Sequence, residues 1–235
     1  MINPFVEFRP VNYQIKENPL ERIARVNQEI SNAIQDGYRR LAEVEIKDLG
    51  WVVEHSRVVK AYGAAVERLR DLKFDQEDIE EFCAALSRSD GIPYMIAGPA
   101  GLYVSALVNH CQENRIQLSI GKSQPTFHFL GYGLVEGKTL MIQGDAGDFA
   151  GTALSGGHLV VQGSVGNWCG AGMMNGEIRV KEHSGRKTGE WMQGGQLHVD
   201  GQIKSVGKNR FGGRIYQQDR LISPETLVED SRVTK

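Results

Sequence analysis

A stretch in the C-terminal half of the chain reads Gly144-Asp-Ala-Gly-Asp-Phe-Ala-Gly151-Thr-Ala-Leu-Ser-Gly-Gly157-His-Leu-Val-Val161. Two of its glycines belong to series that recur about every 19 residues. The first series comprises Gly131, Gly151, Gly170, Gly189 and Gly207, and the second follows it by six residues at Gly137, Gly157, Gly176, Gly195 and Gly213. A fixed period of this length, with one short β-rich run per unit, is typical of a solenoid. We expect the glycines at corners, where positive φ or close backbone contact opposes a Cβ.

Stacking the units by adding 19, and 18 at the last step, places aliphatic residues in columns. One column comprises Leu140, Leu159, Ile178, Leu197 and Ile215, and another comprises Ile142, Val161, Val180 and Val199. Between them lies the mixed column Met141, Val160, Arg179, His198 and Tyr216, as an outward face requires. The small column Ala150, Cys169, Thr188 and Val206 suits a second inward face. These columns predict parallel β-coils wound around a dry core.

The first part of the chain has helical periodicity instead, so the fold class is α+β. Residues 1–98 are predicted to be a helical N-terminal region, and residues 99–235 a β-helix domain with a capping helix and a polar tail from Ser223. A strand is expected at 116–120. The first helix is expected to begin at Asn18 and Pro19, which suit a helix cap and a first turn.

Three further helices follow from apolar spacing and from Gly and Pro as loop markers. The second should run from about Gly50 to Leu72, and the third from Asp75 to about residues 87–91. The fourth should run from Leu102 to Cys111, after loops at 91–93 and 98–101 and with Pro99 in its first turn. The buried members of the second helix are expected to be Val52, Val59, Ala65, Val66 and Leu69.

Composition limits the classes of function. Lys and Arg total 27 against 29 Asp and Glu, and the net charge of −2 argues against non-specific binding of nucleic acid or of a membrane surface. The sequence contains no run of 18 apolar residues, so no membrane span is predicted. The N-terminus does not resemble a secretory signal. Three cysteines without CxxC spacing fit reduced thiols, so a cytoplasmic location is expected.

The stretch 144–161 resembles the GXGXG repeat of the C-terminal domain of the glutamate synthase large subunit. The closing run Gly201-Gln-Ile-Lys-Ser-Val-Gly-Lys-Asn-Arg-Phe-Gly-Gly-Arg-Ile-Tyr216 is similar to the end of the C subunit of formylmethanofuran dehydrogenase and of related formyltransferase/hydrolase complexes. The resemblance covers roughly residues 102–222. It implies a right-handed β-helix that packs against catalytic subunits and carries no catalytic residues of its own.

Several residues could nevertheless carry chemistry. Cys169 could be a nucleophile with His183, although its column favours a packed core thiol. A calcium ladder could be formed by Asp145, Asp148 and Asn167. Such a ladder repeats Asp in nearly every coil, whereas the position after Asn167 in the column is Arg186, so turn-forming roles are favoured. The Gly131–Gly133 and Gly170–Gly172 pairs lack the strand–loop–helix context of a dinucleotide site.

The histidines and the basic residues give weaker signals. The six histidines show no HxH or HxxxH pairing, and His158 and His198 fall in different columns, so no shared metal is expected. A basic patch near the last unit is interpreted as a solvated face or as a surface for an acidic partner. It comprises Lys204, Lys208, Arg210 and Arg214.

The sequence therefore predicts a non-catalytic scaffold subunit of a multisubunit cytoplasmic enzyme. No catalytic, metal or cofactor residue is assigned to this chain. The expected partners are catalytic subunits, with homo-oligomers as a further possibility and without nucleic acid or membrane insertion. Two alternatives stay open: an independent enzyme centred on Cys169 and His183, or a self-assembling structural protein.

Overall fold

A computed structural model describes residues 19–46, 54–88, 94–120 and 127–223. The helices come first: α1 (Pro19–Arg40), which runs into a π-helical segment at Leu41–Ile46, then α2 (His55–Leu69), α3 (Gln76–Arg88) and α4 (Tyr94–His110). The strands follow: β1 (Arg115–Ser119), β2 (Thr139–Gln143), β3 (Ser155–Val161), β4 (Asn175–Val180), β5 (Gln196–Val199), β6 (Arg214–Gln217) and β7 (Arg220–Ser223). The predicted order of helices followed by a parallel β-solenoid is confirmed.

Strands β1 to β6 pair in chain order and in parallel, one strand per coil. Leu140 pairs with Leu159, Leu159 with Ile178, and Ile178 with Leu197, so the first aliphatic column is in register. The members of both aliphatic columns are buried, and the mixed column alternates with them on the outer face. This arrangement gives a β-solenoid of about four turns with a repeat of about 19 residues, while its right-handed sense stays a prediction.

The predicted second inward face is also present. Ala150, Cys169 and Thr188 have no exposed surface, and Thr188 pairs with Val206, which is partly buried. A neighbouring set of single bridges joins the same side of successive coils at Ala146, Val165, Ser184 and Ile203. The core is therefore closed by the sheet on one side and by these tightly stacked turns on the other.

Two corner glycines show why the repeat needs this residue. Gly151 and Gly170 have φ values of 66° and 67°, which lie in the left-handed region. A Cβ at Gly151 would lie 2.4 Å from Ile178 Cδ1, and one at Gly170 would lie 2.7 Å from Leu197 Cδ1. Each glycine thus faces an aliphatic side chain of the following coil, so register and glycine spacing depend on each other.

The helices α1 to α4 form a core that is continuous with the solenoid. Tyr38, Phe82 and Tyr103 pack their rings at centroid distances of 5.4–5.6 Å. The buried Tyr103 hydroxyl donates a hydrogen bond to the Ile34 carbonyl at 3.0 Å. Ala97 to Val108 of α4 are buried throughout, as expected for a helix that is apolar on all sides.

The expected start of the fourth helix at Leu102 is wrong. Helix α4 begins at Tyr94, so the predicted loop at 98–101 is helical and Pro99 lies inside the helix. Gly101 is placed there by close packing, because a Cβ at this position would lie 1.7 Å from the His128 carbonyl oxygen. The glycines and the proline were therefore poor markers of a loop in this segment. The predicted boundary after residue 98 falls within this continuous helix and stays a prediction.

Helices α2 and α3 are confirmed with shorter limits than expected. Helix α2 ends at Leu69 rather than Leu72, and α3 begins at Gln76 rather than Asp75. Ala65 and Leu69 are buried as predicted and Val66 is partly buried, but Val59 is 46% exposed and its neighbour Val58 is buried in its place. Some of the predicted features lie outside the described residues, namely Asn18, Gly50, Val52 and the tail after Ser223.

The two ends of the solenoid are finished differently. At the first coil, Ser105 of α4 donates a hydrogen bond to the Phe129 carbonyl at 2.9 Å, and Gln76 of α3 accepts one from the Gln117 amide of β1 at 3.0 Å. The contact between α4 and the first coil supports the expected capping helix, which stays a prediction. At the last coil, β7 folds back antiparallel on β6 through a turn at Gln218 and Asp219, both with positive φ.

Candidate functional site

Aromatic side chains form a stack along the turns of the first three coils, which we call the aromatic ladder (Phe129, Phe149 and Trp168). The rings of Phe129 and Phe149 stack at 4.7 Å, and those of Phe149 and Trp168 at 4.9 Å, with planes within 5°. All three residues have positive φ and stand two residues before a first-series glycine. The same 20- and 19-residue spacing could have revealed this ladder in the sequence, where it was missed.

Lys187 takes the ladder position in the next coil. It has a φ of 57°, and its ammonium nitrogen lies 5.5 Å from the centroid of the Trp168 ring. This distance allows a cation–π interaction. An aromatic column thus ends on an exposed positive charge.

A cavity of about 510 Å³ opens beside Trp168 and Lys187, and we call it the basic cavity. The other residues that line it are Asn167, Arg186, Lys204 and Ser205. Arg186, Lys187 and Lys204 form no ion pair with a carboxylate in the described part of the chain. The cavity therefore collects three cationic groups that the fold itself does not neutralise.

Hydrogen bonds between coils hold the walls of this cavity. Asn167 Oδ1 accepts the Arg186 amide at 2.9 Å, while Asn167 Nδ2 donates to Asp148 Oδ1 at 3.2 Å. Ser205 Oγ accepts the Lys187 amide at 3.1 Å. Because both ends of the Asn167 amide are engaged, this residue fixes the backbone that carries the cations.

The acidic and polar turn residues form ladders of the same kind. Asp148 Oδ1 accepts the Asn167 amide at 2.6 Å, and Asp145 Oδ1 accepts the Ser164 amide at 2.7 Å. Both carboxylates thus bind amides of the following coil, and the turn-forming interpretation of Asp145 and Asp148 stays a prediction. No group of three or more His, Cys, Asp or Glu side chains that could hold a metal ion occurs in residues 19–46, 54–88, 94–120 and 127–223.

Two histidines belong to these ladders. His128 Nδ1 accepts the Asp148 amide at 2.8 Å, and His183 Nδ1 accepts the Gln202 amide at 2.9 Å. Burial lowers the pKa of His128, against an opposing effect of the Asp148 charge. In both bonds Nδ1 is the acceptor, so each ring has a structural role between two coils.

The structure does not bring Cys169 and His183 together as a catalytic pair. Cys169 has no exposed surface, and burial raises the pKa of its thiol to about 12. His183 is exposed on the outside of its coil. A nucleophilic cysteine needs an accessible thiolate, so the interpretation of Cys169 as a packed core thiol is confirmed.

The outer face of the sheet carries a second polar cluster, centred on Glu177. Its carboxylate lies 2.5 Å from Arg179 Nε, 3.5 Å from His158 Nδ1 and 4.0 Å from His198 Nε2. The ring of His198 stacks on that of Tyr216 at 4.4 Å, and burial followed by the Arg179 charge lowers the pKa of His198. His158 and His198 lie in different columns as predicted, and Glu177 stands between them.

The residues of the predicted basic patch have different surroundings. Lys204 lines the basic cavity, whereas Arg214 lies on the sheet face, where it pairs with Gln196. The amide of Lys208 donates to the buried Glu190 carboxylate at 3.0 Å, and Arg210 is partly buried. Lys204, Lys208 and Arg214 are exposed, which fits the interpretation of a solvated face, and of the four residues only Lys204 lines the basic cavity.

Large apolar side chains are exposed on the later turns. Trp191 is 46% exposed, Met174 is 47% exposed and Phe211 is 60% exposed. Trp191 occupies a left-handed position with a φ of 57°. Exposed aromatic residues of this size are common at the centres of protein interfaces.

Comparison of the chain with protein-family models, with curated proteins and with solved structures found no match. Among the helices of the described ranges, none combines the length and apolar character needed to cross a bilayer.

Proposed function

We propose that this chain is a non-catalytic scaffold subunit of a multisubunit enzyme. In this proposal it is a right-handed β-helix of the kind found in glutamate synthase or in the GXGXG subunit of formylmethanofuran dehydrogenase, and it works in the cytoplasm. Its task is to hold catalytic neighbours at a fixed spacing. The rigid in-register stacking of the coils suits that task.

The observation that carries the proposal is how the coils use their reactive side chains. Cys169 is packed in the core, and Asp145, Asp148, His128 and His183 bind backbone amides of neighbouring coils. Side chains held this way maintain the shape of the solenoid. Their use supports a structural role better than a reaction at the coils.

The exposed apolar residues supply a surface for docking. Trp191 and Phe211 are exposed on the turns that follow β4 and β5, and Met174 precedes β4 on the same side of the repeat. Burial of such side chains contributes about 25 cal/mol per Å² of apolar surface. We assign the contact with catalytic subunits to this surface.

The test is purification of the tagged full chain from its native cell, with the bound subunits identified by mass spectrometry. We expect stoichiometric capture of an oxidoreductase or formyl-transfer subunit, and activity from the reconstituted complex but not from the chain alone. Turnover by the isolated chain that disappears in Cys169→Ser would contradict the proposal. Light scattering that shows large homogeneous assemblies of the chain alone would contradict it as well.

A matched pair of variants locates the docking surface. Trp191→Asn with Phe211→Ser should abolish capture, and asparagine is chosen because it tolerates the left-handed backbone. The control is Val26→Ser with Val59→Ser, which removes apolar side chains that are 41% and 46% exposed on helices α1 and α2. Equal loss of capture in both pairs would show that the turns carrying Trp191 and Phe211 do not form the contact with the catalytic subunits.

A further inference from the structure

We propose that the basic cavity binds a phosphorylated small molecule, such as a phosphate ester or a diphosphate. The cavity is lined by Arg186, Lys187 and Lys204 together with Trp168, Asn167 and Ser205. This inference is independent of the scaffold role, because it concerns the turns beside Trp168 and not the surface around Trp191.

The repeat itself draws attention to these positions. Arg186 follows Asp148 and Asn167 in one column, and each of those two residues accepts the backbone amide of the next. Lys187 follows Phe149 and Trp168 in the adjacent column, where the earlier members stack. Both columns change to a cation in the same coil, although the turn has the same backbone conformation at Lys187 as at Trp168.

Lys204 departs from its column in the same way. The amides of Gly166, Gly185 and Lys204 donate to the Ala146, Val165 and Ser184 carbonyls, so the three residues are equivalent in successive coils. The two earlier positions are glycine, and a Cβ at Gly185 would lie 2.7 Å from the Gly166 backbone. Three columns with no earlier cation therefore converge on three cations at one cavity.

The surroundings of the cations indicate the chemistry of the ligand. One face of Trp168 is covered by Phe149 and the other by the Lys187 ammonium, so the indole forms a wall and not a free stacking platform. Asn167 has both ends of its amide engaged. Recognition therefore falls to the cations, and a guanidinium with two ammonium groups suits a phosphoryl group of two or more negative charges.

The size of the site favours a small ligand. A volume of about 510 Å³ lies within the range of pockets that enclose small molecules, roughly 300–1,000 Å³. In this proposal a diphosphate or the phosphate end of a larger ester contacts all three cations that line the cavity. Each exposed cation alone binds weakly, so the site depends on their convergence.

The test is isothermal titration of the full chain with inorganic pyrophosphate at physiological ionic strength, with sulfate as the comparison anion. We expect saturable binding of one pyrophosphate per chain, and weaker binding of sulfate. Arg186→Gln and Lys187→Asn should each raise the Kd by about tenfold, which corresponds to one lost charge-assisted contact. Lys208→Gln removes the same charge outside the cavity, and it should change the Kd less than about twofold.

Tryptophan fluorescence gives a second readout. Pyrophosphate should draw the Lys187 ammonium away from the Trp168 ring and change the emission, and Trp168→Phe should remove this signal while binding is retained. Equal weakening by Lys208→Gln and Arg186→Gln, or equal affinity for sulfate and pyrophosphate, would overturn the proposal. Binding of an acidic peptide without any binding of pyrophosphate would also overturn it and would assign the cavity to a protein partner.

Discussion

The helical part and the solenoid reach a buried core by different routes. In the helical part, Tyr38, Phe82 and Tyr103 meet from three helices in a packing that occurs once. In the solenoid, the same kind of residue returns at the same place in each coil, as Leu159, Ile178 and Leu197 do. A substitution in the helices therefore changes one contact set, whereas a substitution in a coil acts on a column.

The largest expected difference comes from glycine. Gly170→Ala should destabilise the protein by about 3 kcal/mol, because it adds the cost of a left-handed alanine to an overlap with Leu197. Gly63→Ala in α2 should instead stabilise by about 0.5–1 kcal/mol, since a Cβ there has no heavy atom within 4 Å. Chemical denaturation of both variants measures the contrast.

A third glycine separates the two costs at Gly170. Gly172 has a φ of 62° and open space where a Cβ would lie, and the equivalent position holds Ala153 with a φ of 55°. Gly172→Ala should therefore lose only about 1 kcal/mol. If Gly170→Ala and Gly172→Ala are equally destabilising, overlap with the next coil plays no part.

The next effect concerns Cys169. Cys169→Ser should destabilise by about 2 kcal/mol, because a hydroxyl placed in this apolar column loses its hydration. In the next coil Thr188 carries a hydroxyl at the same place, but Ser184 Oγ lies 2.7 Å from it as a partner. Thermal unfolding measures the loss, and Cys169→Ala is the control without a polar atom. Rapid labelling of Cys169 in the native protein would contradict its burial.

A smaller effect is expected in the helical core. Tyr103→Phe removes the hydroxyl that bonds the Ile34 carbonyl and should cost about 1 kcal/mol. Tyr216→Phe is the matched control on the outer sheet face, where the ring stacks on His198, and it should change stability by less than about 0.5 kcal/mol. An equal loss in both would mean that the buried hydroxyl contributes nothing specific.

The smallest expected effect depends on pH. Burial lowers the pKa of His128 in the folded protein, so the unfolded chain binds the proton more readily. Stability should therefore be full above the ordinary histidine pKa of about 6.5 and fall as the pH drops below it. His128→Asn keeps an acceptor for the Asp148 amide, as Asn167 does for Arg186, and should flatten this dependence. Unfolding between pH 7.5 and 5.5 measures it, and an unchanged slope in the variant would contradict the assignment.

The columns could be predicted from the sequence because each repeat unit shows the same pattern of glycines and aliphatic residues. Leu140, Leu159 and Ile178 follow equivalent glycines, so an error in one unit would be visible against the others. The helices offer no such check. In α2 the sequence predicted Val59 as a buried side chain, whereas the structure buries its neighbour Val58.

The candidate site was predicted less well, and the reasons are physical. The predicted fourth helix was too short because Gly98, Pro99 and Gly101 usually interrupt helices. In the structure these residues are helical, and the missing side chain of Gly101 leaves room for the His128 carbonyl.

The basic cavity was not predicted because its cations come from different positions of two coils. Only the fold of the turns brings Arg186 and Lys204 to one cavity.

The reversed direction of β7 has a consequence for growth of the coil. A parallel ladder continues only if the next strand runs the same way, and β7 presents its hydrogen-bonding edge in the opposite sense. At the other end of the solenoid, the side-chain oxygen of Gln76 accepts a hydrogen bond from the Gln117 amide of β1. The ladder of parallel strands therefore ends at β6 within the described part of the chain, and β7 cannot serve as the first strand of a further coil in the same direction.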